Sequence, residues 1–159
     1  MATITKKRVL SDAQFGGVPY GNRTVLPFQL KTNATGAAVD SDTAAAIGSG
    51  DKVYVGLLPA GFLLQDAVAI VSDAFTASVI ADIGFEYVDG VDSAVVPQDA
   101  DYFFNDLAIN ATGRTRMTLA NAPVKLPKDA YLVVTIAGAA NASVGVLDIL
   151  IEGELVGAP

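Results

Sequence analysis

The sequence contains no cysteine, no histidine and no tryptophan. Without cysteine there is no disulfide framework and no thiolate metal site. Without histidine, Ser-His-Asp and Cys-His nucleophile arrangements are excluded, as is any metal site that needs imidazole. Charged residues are sparse, at 17%. No apolar run reaches the roughly 18 residues of a membrane span, because Asp66, Asp73, Asp148 or a glycine interrupts each long stretch. The opening MATITKKRVL is charged early and has no apolar segment after it, so no secretory signal is expected. Carboxylates, hydroxyls and ten basic side chains remain for chemistry. Paired carboxylates alone hydrolyse glycosides, which leaves a carboxylate-based hydrolase open, but the composition favours a protein that is not an enzyme. No cofactor is expected.

What is present fits one domain with a real core: 159 residues, 52% of them apolar. Alanine fills 26 of those positions, so the interior is less greasy than the mean hydropathy of +0.45 suggests. Charge is unevenly placed. Residues 1–31 carry Lys6, Lys7, Arg8, Arg23 and Lys31 against Asp12, a balance of +4, whereas residues 32–159 carry five basic and sixteen acidic groups, a balance of −11. A basic arm ahead of an acidic body suits an acidic protein surface. It does not suit nucleic acid, since the body would repel phosphates.

The chain reads as strand and turn. Val79, Ala81, Ile83, Phe85 and Tyr87 alternate with Asp82, Gly84 and Glu86, the period of two of a half-buried strand. Leu147, Ile149, Ile151 and Leu155 alternate in the same way with Asp148, Glu152 and Glu154. Leu26, Phe28 and Leu30 form another set, and Pro27, which cannot donate to a ladder, assigns it to an edge. Residues 52–58 add a strand. Residues 62–71 and 131–137 are apolar on both faces, as in central strands or in strands covered by a neighbouring subunit. Turn signals such as Pro59-Ala60-Gly61, Asp89-Gly90 and Pro127-Lys128-Asp129 separate seven or eight strands. The expected fold is all-β, an antiparallel β-sandwich or jelly roll. Residues 99–109 offer one or two helical turns, and residues 40–47 lie between a turn of helix and a loop. A faint echo links Leu58-Pro59 before Phe62 to Leu126-Pro127 before Tyr131.

Residues 1–21 fit no regular element, because Gly16, Gly17, Pro19 and Gly21 interrupt Phe15, Val18 and Tyr20. This segment is read as an extended N-terminal arm, ahead of a sandwich domain at residues 22–159. Lys6, Lys7, Arg8, Phe15, Tyr20 and Arg23 are its candidate contact residues. Charge steers an encounter, and aromatic anchors supply affinity. The two-sided apolar strands make Phe62, Leu64, Tyr131 and Val133 candidate oligomer contacts. Asp89, Asp92, Asp99 and Asp101 crowd one loop, but without a metal-loop spacing they read as turn carboxylates. No metal site is expected. Four Asn-X-Ser/Thr triplets, at Asn22, Asn33, Asn110 and Asn141, read as turns.

Residues 49–87 carry a family resemblance. Gly50-Asp51, a short apolar strand, Leu58-Pro59-Ala60-Gly61, an apolar strand ending near Asp73, and then Asp82-Ile83-Gly84 follow in order. This arrangement resembles the jelly-roll decoration, or cement, proteins of tailed-bacteriophage heads. The resemblance implies a structural virion protein. It would be made in the host cytoplasm and seated on the outer capsid surface, as a homo-oligomer (often a trimer) bound to the major capsid protein, with neither membrane nor nucleic acid as partner. The rival expectation is a virion fibre or receptor module whose loop at residues 89–101 meets a carbohydrate.

Overall fold

The computed structural model describes residues 2–5, 23–118 and 120–156. Ten strands and no helix occur among them: β1 (Thr3–Thr5), β2 (Arg23–Thr32), β3 (Lys52–Leu58), β4 (Phe62–Asp73), β5 (Ile80–Tyr87), β6 (Asp99–Ala108), β7 (Gly113–Arg116), β8 (Val124–Lys125), β9 (Ala130–Ala137) and β10 (Gly145–Leu155). They form two sheets, β1-β3-β9-β5-β6 and β2-β10-β4-β7, with β8 continuing the β7 edge along β4. Setting aside the short β1 and β8, the eight remaining strands run 1-8-3-6 in one sheet and 2-7-4-5 in the other. That order is a jelly roll, two Greek keys folded face to face.

The alternating sets become the inner faces. Ala81, Ile83 and Phe85 from β5 meet Leu147, Ile149 and Ile151 from β10 in one core, each at most 1% exposed. Leu155, read with the β10 set, is 38% exposed because it lies at the end of the sandwich. β2 is an edge strand, with Pro27 opposite Leu150 on its outward side. Phe28 points inward across the gap to Gly56 of β3, where a Cβ would come within 2.1 Å of the ring.

Two segments differ from the sequence reading, and a third, residues 40–47, takes the loop form of its two readings. Residues 99–108 form the edge strand β6, not helix. Phe85 pairs with Asp99 and Ile83 with Phe104, so five steps of β6 face two of β5. Such bulging places Tyr102, Phe103 and Phe104 side by side in the core and erases the period of two. Gly84 permits this crossing, since a Cβ there would lie 2.0 Å from the Asp99 carbonyl oxygen. Residues 40–47 are irregular, pinned by a bridge from Ala37 to Ala46. Within residues 1–21, β1 is a regular element. It pairs parallel with β3, and Ile4 is buried at 2% exposure. Three residues are too short to display a period.

The sandwich has two ends. The Asn141 end carries the loops at residues 33–51, 74–79, 109–112 and 138–144. The Pro59 end carries the start of β2, the turns at 59–61 and 126–129, the loop at 88–98 and the end of β10. The two Leu-Pro turns meet there. Gly61 N–H donates to the Leu126 carbonyl at 2.8 Å, and Ala60 N–H to the Asp129 carboxylate at 2.8 Å.

Candidate interaction surfaces

Of the candidate arm contacts, Lys6, Lys7, Arg8, Phe15 and Tyr20 lie outside the described residues. Arg23 opens β2 and holds Glu152 of β10 at 2.7 Å on the outer face. Of the candidate oligomer contacts, Phe62 and Leu64 are fully buried in the chain's own core. Val133 is also fully buried, although it faces outward from β9. Tyr131 alone of the four is partly exposed. The two-sided apolarity of β4 and β9 thus reflects their interior places in the two sheets.

Val133 is covered by a network that crosses β9. The register sets it between Tyr54 of β3 and Gly84 of β5. Lys52 of β3 pairs with Glu86 of β5, and the Tyr54 hydroxyl donates to the other Glu86 oxygen at 2.9 Å. Tyr131 stacks on Tyr54 with centroids 4.7 Å apart. Burial first, then the hydrogen bond to Glu86 and the Glu86 charge, push the Tyr54 phenol up to about 12.

The carboxylate-rich loop between β5 and β6 is built from its own acids. The Asp89 carboxylate accepts from Val91 N–H at 3.0 Å, and Asp92 from Ser93 and Gln98 N–H at 2.8 and 2.7 Å. Lys128, from the adjacent turn, braces the loop. Its ammonium donates to both Asp89 oxygens and to the Val91 carbonyl, and it lies 4.6 Å from the Tyr87 ring centroid. These bonds hold Asp89 below the usual carboxylate range. At the far side, burial raises the Asp99 carboxyl, while Asp101 is held low by hydrogen bonds from Asp99 and Asn105. Among the described residues, no three His, Cys, Asp or Glu side chains converge as a metal cluster.

The loop turns apolar side chains in opposite directions. Val96 packs on the core, and its carbonyl accepts from the Tyr87 hydroxyl at 2.5 Å. Val88, Val91 and Val95 stand in solvent at 42%, 61% and 85% exposure. Of seven exposed large apolar residues among the described ones, these three with Val25, Leu155 and Val156 belong to the Pro59 end; only Val144 lies at the other.

Sequence reading missed two side chains that shape these ends. Lys128 was one residue of a turn signal, and its partners lie 37 and 39 residues away. Asn141 was a turn asparagine, yet it is fully buried. It donates to Thr32 Oγ1 and the Ser143 carbonyl and accepts from Thr76 N–H and Oγ1, tying the end of β2 to two loops. The only local sign was the run of alanines around it, too small to exclude the neighbouring loops. Asn33 behaves as read, accepting from Thr35 and Ala37 N–H within its turn.

No protein-family model and no curated protein matches the sequence. Solved structures do match the fold. A chain in the capsid of Ralstonia phage GP4 superposes with a TM-score of 0.65, over 98% of this chain and 99% of that one, at 15% identity. A chain in the capsid asymmetric unit of cyanophage Pam1 gives a TM-score of 0.57, over 91% and 95%, at 12% identity. At these identities the likeness is one of fold, and it extends over nearly the whole chain.

Proposed function

We propose that this chain is a structural virion protein, a decoration or cement protein that binds the outer head surface and reinforces contacts between capsomers. The observation that carries the reading is the end-to-end likeness to a chain of a phage capsid, with neither partner left with a large unmatched domain. The chemistry agrees. The chain has no histidine or cysteine, and the carboxylates of its densest acidic loop are engaged in holding that loop. Its work would be area burial. An oligomer, with a trimer as the specific proposal, would touch several capsomers at once, so that modest contacts act together. The major capsid protein is the proposed partner. Lys6, Lys7 and Arg8 would steer the encounter, with Phe15 and Tyr20 as anchors.

The test applies purified chain to phage heads assembled without it. Cryo-EM density on the outer surface, together with heads that resist heating better, is the expected result. Absence of binding, or density confined to the interior, overturns the reading. Replacing Lys6, Lys7 and Arg8 by Glu should slow association, most visibly at low salt, while Phe15→Ala with Tyr20→Ala should speed dissociation. Unchanged binding in both removes the arm from the interface.

A further inference from the structure

We propose that the β5–β6 loop is a preformed docking loop, and that its partner is a protein surface with an apolar cleft rimmed by Lys or Arg side chains. The inference rests on the virion reading, which makes that partner the head shell.

Three observations carry it. The first is exposure without looseness. Val91 and Val95 are the two most exposed large apolar residues described, at 61% and 85%. The segment that presents them is tied by Asp89, Asp92, Ser93, Tyr87 and Lys128, all within 3.3 Å of their partners. A loop ordered before it binds loses little further freedom on docking. The second is charge. Residues 88–101 hold Asp89, Asp92, Asp99 and Asp101 and no base; Lys128 offsets one of the four. An acidic rim around exposed valines complements a basic rim around an apolar cleft, and disfavours the same loop of a second copy. The third is position. Of the other exposed large apolar residues described, Val25, Val88, Leu155 and Val156 share the Pro59 end and only Val144 does not, so a broad partner would meet the four together.

A carbohydrate partner fits less well. Sugar rings call for an exposed aromatic platform or free polar groups. Tyr87, the aromatic beneath the loop, is 3% exposed and lies under Lys128, and both Asp89 oxygens and Asp92 Oδ1 are already engaged.

The experiment measures binding of the full chain to heads assembled without it. It compares wild type with V91D/V95D, V95D, V95K and, as a control at the opposite end, V144D. Wild type that fails to bind overturns the virion reading, and the assignment of the loop's partner falls with it. If wild type binds, V91D/V95D is expected to weaken binding at least tenfold, with melting temperature and oligomer mass unchanged, while V144D binds like wild type. V95K is expected to bind more weakly than V95D, because a cation would face the basic rim. Binding of V91D/V95D within twofold of wild type overturns the docking loop. V95K binding better than V95D overturns the basic rim. A changed oligomer mass in V91D/V95D assigns the surface to a second copy and overturns the proposed partner.

Discussion

Single side chains at the ends and on the outer face divide sharply by how well they are satisfied. Asn141 is fully buried with donors and acceptors both engaged. Its removal leaves Thr76 N–H without its acceptor and deletes the bonds to Thr32 Oγ1 and the Ser143 carbonyl, and a buried group left unpaired costs about 1–3 kcal/mol. Asn141→Ala is therefore expected to lower stability by about 2–4 kcal/mol, read as a shift in urea midpoint with unchanged slope. Thr135 is the opposite case. Its Oγ1 is buried and has no hydrogen-bond partner among the described residues. Valine keeps the branched shape that suits a strand and removes the unsatisfied hydroxyl. Thr135→Val should leave stability unchanged or raise it by up to about 2 kcal/mol; a loss of stability in the same titration would show that the hydroxyl is satisfied.

Within an element, the period of two separates core from surface. Ile149 is fully buried in β10, while its neighbour Asp148 lies on the outer face and accepts from Gln29 at 2.7 Å. Ile149→Ala should cost about 2–5 kcal/mol through lost burial and a cavity, and Asp148→Ala less than about 1 kcal/mol, both measured by thermal or urea unfolding. The β3–β9–β5 crossing adds a pH dependence. The Tyr54 phenol is raised from 10.0 to about 12 in the folded chain. The folded state therefore keeps a proton that the unfolded chain releases first. This contribution is complete below pH 10 and is lost as pH rises through about 12. Tyr54→Phe should flatten the alkaline fall in stability across that window. An unchanged slope would place the proton elsewhere.

For the molecule as a whole, the distribution of surface types is more telling than any one patch. The Asn141 end is closed by a buried polar clamp, and the Pro59 end gathers exposed valines, an acidic loop and the entry to β2. Assembly belongs to this scale. Light scattering at micromolar concentration is expected to give three times the 16.3 kDa chain mass. One chain mass would refute a stable oligomer in solution. Because Phe62, Leu64 and Val133 are spent within the chain, mutating them should unfold the protein rather than split an oligomer. Tyr131 remains the one of the four that a neighbour could touch.

Much of the fold was legible because strand burial is a local property: side chains alternate across a sheet, so β5 and β10 announce their inner faces residue by residue. Pro27 likewise declared an edge, since a missing N–H is a fact about one residue. The helical reading of 99–109 failed where bulges break the alternation, and the bulges depend on β5 offering glycine at position 84. Pairing, by contrast, joins groups far apart in the chain. Lys128 with Asp89, Asn141 with Thr32 and Lys52 with Glu86 are 39, 109 and 34 residues apart. No local pattern announces such contacts, because each exists only once strands far apart in the chain have come together in a sheet or the two sheets have packed. The sequence by itself therefore determined an all-β sandwich without histidine or cysteine chemistry. Tertiary structure decided which apolar strands were already covered, and which end was left with apolar side chains in water.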